Sequence, residues 1–293
     1  MNPFWVSLQF FVIIIAELTM LFIGISTLVG VVFQYVSDEK LRKWMSKKGI
    51  VGNVLGAALG AITPFCSCST IPVMVGLLRA GVPFGASMSF LLASPLLNPV
   101  ILTLFLALLG WKVCAIYGIV TFLASIFAGA LLHALGLEKD LKRVKISGAR
   151  ERAMHSTLGQ KIRAALDGAW KDFRSMLGYI VIGVAIGSAI YGYMPNDFVV
   201  GIAGPGNPFA VPVAALIGIP LYVRAETVIP IAMALTQKGM GMGAVLALII
   251  GGAGMSIPEM SMLAAIFKPR LVAIFIGVVF TTAVVAGLVF NFM

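Results

Sequence analysis

Charged residues are scarce in this chain. Only 11% of its 293 residues are Asp, Glu, Lys or Arg, while 60% are hydrophobic and the mean hydropathy is +1.05. A soluble globular domain carries roughly 25% charged residues, so the composition excludes that class. Apolar runs of about 20 residues, the length that crosses a bilayer, recur from end to end. The sequence therefore predicts an all-α polytopic membrane protein.

Cysteine and histidine are also scarce. The three cysteines, Cys66, Cys68 and Cys114, are too few for a disulfide framework, and we expect free thiols. His133 falls at a helix end and His155 in a polar linker, where a solvated histidine needs no special role. The sequence has no Walker A motif, so nothing in it indicates that this chain hydrolyses ATP, and no cofactor is predicted.

The positive charge that is present, net +10, lies in short blocks between apolar runs. That distribution is typical of the cytoplasmic loops of a membrane protein and not of a nucleic-acid-binding face. No basic residue precedes Lys40, and no small-residue cleavage site lies near the first apolar run, so 4–36 is expected to remain as the first span. The cytoplasmic blocks are then 38–48, 137–172 and 268–270.

The positive-inside rule constrains how the chain crosses the membrane. If 49–80 and 84–110 were both full crossings, the basic linker that follows would lie outside. We therefore predict that 49–80 is a re-entrant hairpin from the cytoplasm and that 209–238 is one from the outer side. Each arm has about 11–13 residues, roughly 18 Å of helix, which reaches the middle of the membrane. Eight full spans with broken helices are the alternative.

Two inverted-topology repeats follow from this count, each with three transmembrane helices and one re-entrant broken-helix hairpin. The first repeat covers 1–136, the linker 137–172 and the second repeat 173–293, with both termini outside. Apolar residues recur at helical spacing from Leu158 to Phe173 with charges opposite. This pattern predicts an amphipathic helix on the membrane surface within the linker.

Two apolar segments, one in each half, break around proline with the same spacing. Ile71-Pro72 is followed by Gly81 and Gly85, and Ile229-Pro230 by Gly239 and Gly243 at the same distances. A further break follows in each half, at 94–99 and at 251–259. Paired helix breaks at matching places indicate the binding site of a transporter.

Residues that favour helix starts follow these breaks. Ser69 or Thr70 precedes Pro72, Thr227 precedes Pro230, and Asn98 directly precedes Pro99. Ser256 and Glu259 have the spacing of a capping box. Helix N-termini directed at the middle of the membrane suit an anion or a thiolate, because they offer N–H donors and partial positive charge.

The Cys66-Ser67-Cys68 turn is a candidate for contact with a soft ion. Thiolates favour Cu(I), zinc and other thiophilic centres, so both cysteines are metal-ligand candidates. The alternative is that they pack as small hydrophobic residues, which is the expected role of Cys114.

A few charged residues fall inside the apolar stretches. They are Glu17, Glu226, Glu259 and the base Arg224. A charge at the bilayer centre costs at least about 2.5–3.5 kcal/mol on insertion scales, so such residues are functional candidates, and the three acids are candidates for proton coupling. Structural roles are also open to them: Glu259 as a cap, Glu226 as a counter-charge to Arg224, and Glu17 as an interfacial residue.

The first-half motif resembles the predicted-permease family that includes the organoarsenical efflux permeases. The resemblance rests on Pro64-Phe65-Cys66-Ser67-Cys68-Ser69, Pro72, 76–81, Gly85, Ser94-Pro95 and Asn98-Pro99. It implies a plasma-membrane permease with the cysteine-containing break at its core. Characterised relatives expel trivalent organoarsenicals, which bind thiols, whereas Arg224 and Glu226 depart from the arsenical exporters.

The sequence thus predicts a secondary transporter, not an enzyme, that moves a small thiophilic solute through a mid-membrane site. A small anion held by helix N-termini and Arg224 is the rival substrate. A membrane-embedded cysteine enzyme and a structural partner of another membrane complex are hypotheses from different functional classes. The bilayer and a small molecule or ion are the expected partners, and a homo-oligomer is left open. The predicted substrate-binding residues are Cys66, Ser67, Cys68, Ser69, Thr70, Asn98, Arg224, Glu226, Ser256 and Glu259.

Overall fold

A computed structural model describes residues 3–35, 45, 49–63, 67–142, 158–193, 209–219, 236 and 240–291. Within these residues the chain is helical apart from a short 3-10 turn and one isolated β-bridge. In chain order the helices are α1 Pro3–Tyr35, α2 Ile50–Ile62, α3 Ser67–Arg79, α4 Phe84–Leu96, α5 Pro99–Leu109, α6 Trp111–Ala134, α7 Leu158–Tyr193, α8 Ala210–Gly218, α9 Met242–Gly254, α10 Ile257–Ile266 and α11 Pro269–Asn291.

Five segments of the described chain are long and apolar enough to cross a bilayer, which confirms the predicted class. The segments are Phe11–Leu28, Phe84–Ala107, Trp111–Ala134, Met242–Ile266 and Pro269–Asn291. The helix α7 also covers residues 173–193, the start of the predicted second repeat.

Two of the five spans are broken helices. The first is α4 followed by α5, and its break lies at Leu97 and Asn98. Asn98 has an extended backbone, as expected before a proline, and its side chain accepts a hydrogen bond from the backbone N–H of Val100 at 2.9 Å. The second is α9 followed by α10, with Ser256 as the N-cap of α10. The breaks predicted at 94–99 and 251–259 are therefore confirmed.

The segment predicted as the first hairpin contains α2 and α3. Each has 13 residues, about 20 Å at 1.5 Å per residue, whereas the bilayer core is about 30 Å thick. The helix α3 begins at Ser67, so Ser69 and Thr70 lie within its first turn instead of capping it, and that expectation was wrong. Pro72 thus lies inside α3, beyond the first turn in which proline is best tolerated.

Glycine lets the helices of each half approach closely. A Cβ on Gly129 of α6 would overlap the carbonyl oxygen of Gly85 in α4. A Cβ on Gly287 of α11 would likewise be too close to the carbonyl oxygen of Gly243 in α9. The second pair lies 158 positions beyond the first in both helices. The helix α2 packs against α4 and α6, and α8 packs against α9 and α11. Helix contacts in the two halves therefore follow a matching pattern.

The helices α4 and α9 form the centre of the molecule. Every residue of α4 is buried, as are all residues of α9 except Met242 and Ala253. The two helices contact each other. The break that ends each of them is therefore internal.

The two longest helices, α1 and α7, pack side by side. The ring centroids of Phe22 and Phe173 are 5.6 Å apart, and a Cβ on Gly30 would lie 3.1 Å from Cβ of Ala165. Because the residue numbers run in opposite directions, α1 and α7 are antiparallel. The helix α7 begins inside the predicted linker and continues without a break to Tyr193.

Residues 137–142 contact residues 264–268 and so join the two halves. We call this contact region the bridge. Leu141 and Phe267 form an antiparallel β-bridge. Lys142 Nζ donates to the carbonyl oxygen of Ala264 at 2.7 Å, and Lys268 Nζ lies 3.2 Å from Asp140 Oδ1. The end of α6 and the turn between α10 and α11 therefore lie on the same side of the molecule.

Candidate functional site

The two helix breaks lie beside each other. Leu96 is the last residue of α4 and Gly254 the last residue of α9. A Cβ on Gly254 would lie 3.3 Å from Cδ2 of Leu96. Each break is near the middle of an apolar span, with 13 helical residues before it and 11 or 10 after it. Backbone N–H and C=O groups from both halves are thus left without helical partners in one internal region.

Buried polar side chains belong to the helices around this region. Ser69 and Thr70 are in α3, Ser94 in the last turn of α4, and Ser256 and Glu259 at the start of α10. Thr70 Oγ1 donates to Ser94 Oγ at 3.2 Å, which joins the first turn of α3 to the end of α4. The helix α3 also packs against α10. These contacts give the breaks a polar surrounding inside an apolar protein.

Glu259 is fully buried and is the only charged side chain among the buried residues of the described chain. Its backbone N–H donates to Ser256 Oγ at 3.4 Å, so one bond of the predicted capping box is present. Its position at the third residue of α10 is favourable for a carboxylate, because the first turn of a helix carries partial positive charge. The arrangement can hold a negative charge, or exchange a proton, at membrane depth.

The remaining predicted residues are spread over the chain. Asn98 is half-buried and caps α5, and Glu17 is half-buried in α1, which contacts α3 and α7. Ser67 and Cys68 begin α3. Cys66, Arg224 and Glu226 lie outside the described residues.

Two site residues were not predicted from the sequence. Ser94 was recognised only as part of a break motif, although its hydroxyl accepts the bond from Thr70. Tyr117, the seventh residue of α6, is fully buried, and its hydroxyl donates to the carbonyl oxygen of Leu96 at 2.9 Å. The sequence signal that could have identified Tyr117 was a tyrosine within an apolar span, where a buried hydroxyl needs an internal partner.

Among the described residues, no group of three or more His, Cys, Asp or Glu side chains is arranged to hold a metal ion. That statement does not cover the pair of Cys66 and Cys68, because Cys66 lies outside the described residues. Metal ligation by this pair therefore stays a prediction.

The family comparison agrees with this geometry. A family model described as "Predicted permease" (ArsP_1) matches residues 6–292. The chain belongs to the predicted permease family. The match includes both halves and both helix breaks, so the resemblance inferred from the first-half motif is confirmed. The chain is accordingly a multi-pass membrane protein of a transporter family.

Curated relatives of this permease match along most of their length. UPF0718 protein YcgR of Bacillus subtilis strain 168 is 28% identical over 269 residues, which are 91% of this chain and 90% of the relative. A Streptococcus mutans protein named "Putative two-component membrane permease complex subunit" is 24% identical over 92% of this chain and 89% of its own length. UPF0718 protein MJ0584 of Methanocaldococcus jannaschii is 20% identical over 81% of each chain. No solved structure matches the permease.

Proposed function

We propose that this permease is a secondary transporter of the plasma membrane with its substrate site at mid-membrane, between the two helix breaks. The observation that carries the proposal is the contact of Leu96 with the backbone at Gly254. Non-helical backbone at membrane depth is tolerated where protein or a wet cavity satisfies its polar groups. Two such breaks side by side, with buried hydroxyls and the Glu259 carboxyl nearby, are the arrangement that a transport site requires.

Helix contacts support re-entrant hairpins. The chain leaves α1 on the side where Gly30 meets Ala165, near the start of α7. We place the bridge on that side too, because the connection 143–157 carries five charged residues and no apolar run that could cross the bilayer. Between α1 and the bridge, α4–α5 and α6 each cross the membrane once. Because the chain leaves α1 and reaches the bridge on the same side, 49–80 must cross the membrane either twice or not at all. The two helices of this segment have 13 residues each, which is too short for two full crossings.

Counting membrane crossings in the second half gives the same result, with the hairpin on the outer side. We count one crossing in α7, whose residues 173–193 begin the second repeat, and one in α9–α10 before the chain reaches the bridge. The segment 209–238 therefore adds no net crossing, and the nine residues of α8 are far too few to span. Equivalent helices then run in opposite directions, as α1 and α7 do. This supports two inverted repeats, with the basic linker in the cytoplasm and both termini outside.

The substrate class we propose is a small thiophilic solute, such as a trivalent organoarsenical or a metal species. Cys66 directly precedes α3 in the sequence, and Ser67 and Cys68 begin that helix, whose Thr70 donates to Ser94 beside the first break. Soft sulfur ligands select such solutes. Ser67, Ser69, Thr70, Asn98 and Ser256 would supply polar contacts, and Arg224, Glu226, Glu259 and Glu17 would supply charge compensation or proton coupling.

Replacing both thiols tests the substrate class. We expect Cys66→Ser with Cys68→Ser to abolish efflux of trivalent methylarsenic from cells or inverted vesicles, because serine oxygen is a poor ligand for arsenic(III). Cys114→Ser is the matched control, since Cys114 is in α6, where its Sγ donates to the carbonyl oxygen of Leu102. Unchanged efflux in the double variant removes thiol ligation from the proposal.

A small inorganic or organic anion is the rival substrate. The N-termini of α5 and α10 both begin at the breaks, and helix N-termini attract anions. If anions are carried, Arg224→Gln abolishes uptake of small oxyanions in vesicles while the cysteine double variant retains it. Membership of a permease family favours transport of either substrate over a cysteine enzyme.

The name of the Streptococcus mutans relative raises a second subunit as a proposal for this chain. Native mass spectrometry of the permease purified from its own membrane would separate a heteromeric complex from a homo-oligomer and from a monomer.

A further inference from the structure

The first helix break is held by a side chain from another helix. Tyr117 of α6 is fully buried, and its hydroxyl donates to the carbonyl oxygen of Leu96 at 2.9 Å. Leu96 ends α4, and the last carbonyls of a helix have no partner within it. The tyrosine therefore satisfies a group that the break leaves open.

The same helix also holds the segment after the break. The edge of the Tyr117 ring packs on Phe105 of α5, with centroids 4.6 Å apart and planes at 82°. Cys114 Sγ donates to the carbonyl oxygen of Leu102, also in α5, at 3.3 Å. Both pieces of the first broken span are thus attached to α6, which fixes their relative positions.

The second break has different residues at the corresponding positions, 158 further along. Tyr117 corresponds to Phe275 and Cys114 to Val272. Both side chains are buried, and neither has a hydrogen-bond donor. Val279, one helical turn beyond Phe275, lies against Gly254, so Phe275 is on the face of α11 that packs beside the break.

The residues before the second break also differ in their conformational freedom. Residues 93–96 read Ala-Ser-Pro-Leu, whereas residues 251–254 read Gly-Gly-Ala-Gly. Proline restricts the backbone of the first segment, and glycine widens the conformations open to the second. Sequence and contacts therefore agree on an asymmetry between the halves.

We propose that Tyr117 is a positioning residue that keeps the α4–α5 break fixed, and that the α9–α10 break is the hinge that rearranges during transport. The inference depends on the proposed transport function. The helix α10 carries Ser256 and Glu259 at the hinge end, and its other end is held by Lys142 through the carbonyl of Ala264. Motion at the hinge then shifts Glu259 relative to α3 and α4 while the far end stays in place.

Hydrogen exchange tests the asymmetry without a substrate. In the purified full-length permease, amides of 255–260 should exchange faster than those of 97–102. Tyr117→Phe should raise exchange at 97–102 by about five- to tenfold, the effect of losing one hydrogen bond, and leave 255–260 unchanged. Equal or reversed exchange in the unmodified protein overturns the assignment of the hinge, and an unchanged rate in Tyr117→Phe overturns the role of the tyrosine.

Adding a tyrosine hydroxyl at Phe275, beside the second break, tests whether the hinge takes part in transport. Phe275→Tyr should slow exchange at 255–260 and lower kcat for trivalent methylarsenic with little change in KM, because the break is held but the binding residues are intact. Phe275→Leu is the control, since it changes packing without adding a donor. If Phe275→Tyr slows exchange but leaves kcat unchanged, the hinge is not part of the cycle. If the unmodified permease does not move methylarsenic, the substrate proposal fails while the exchange results still decide the hinge.

Discussion

At the scale of single residues, local interactions account for where the helices begin. Asn98 and Ser256 were both predicted from the sequence as residues that precede a helix start, and both cap their helices in the structure. This was predictable because a cap depends on residues two or three positions away. Ser69 and Thr70 do not cap a helix, because α3 begins two residues before Ser69.

Removing a cap should destabilise the fold measurably. Ser256→Ala removes the acceptor of the Glu259 N–H, so we expect a loss of about 1 kcal/mol in unfolding free energy, read as a lower melting temperature in detergent. Ser256→Thr should restore most of it. The control is Ser261→Ala in the same helix, where the hydroxyl donates to the carbonyl oxygen of Pro258. Equal losses in both alanine variants would contradict the capping role.

The buried carboxyl of Glu259 makes a separate residue-scale prediction. Glu259→Gln keeps the shape and removes the charge, so we expect the dependence of transport on the proton gradient to disappear while substrate exchange persists. Vesicle transport measured with and without an imposed gradient checks this. Glu138→Gln is the control, because Glu138 is exposed in the 3-10 turn after α6. A gradient dependence that survives in Glu259→Gln assigns coupling to another group.

At the scale of helices, close packing depends on glycine at defined contacts. Gly129→Ala would bring a methyl group into the Gly85 carbonyl and the Ser89 hydroxyl, and overpacking of this kind costs about 1–3 kcal/mol. Among the described residues, a Cβ on Gly118 in the same helix would meet only Leu102 Cδ2, at 4.0 Å. We expect a clear loss of thermal stability in the first variant and none in the second. Similar stability of the two would contradict the close contact of α4 and α6.

Helix contacts were only partly predictable. The equal spacing of Gly85 and Gly243 after their prolines was visible in the sequence, but the partners Gly129 and Gly287 were not. A glycine in an apolar run has the same appearance whether it meets another backbone or lipid. A Cβ added to Gly24 or Gly277, for example, would have no neighbour within 4 Å among the described residues.

At the scale of the whole molecule, the topology makes a prediction that labelling can check. In a chain with all three cysteines changed to serine, single cysteines at Ile50 and Arg79 should react with a membrane-impermeant maleimide only after permeabilisation. Cysteines at Phe209 and Gly241 should react in intact cells. All four positions are exposed at the ends of short helices or spans.

Two further positions calibrate the labelling. Lys112→Cys, at the start of α6, marks the outside, and Lys268→Cys, in the bridge, marks the cytoplasm. A single full crossing of 49–80 would put Ile50 and Arg79 on opposite sides, and one of 209–238 would do the same for Phe209 and Gly241. Either pattern would remove the hairpins and the inverted repeats from the proposed function.

The sequence by itself determined the membrane class, the family resemblance, and the breaks in α4–α5 and α9–α10. These depend on hydropathy and on proline and cap residues, whose effects extend only a few positions along the chain. Tertiary structure decided that Leu96 lies beside Gly254, that Tyr117 bonds the first break, and that Lys142 reaches Ala264 across 122 positions. Such pairs are set by which helix surfaces pack together, and no local pattern records which partner a buried surface meets.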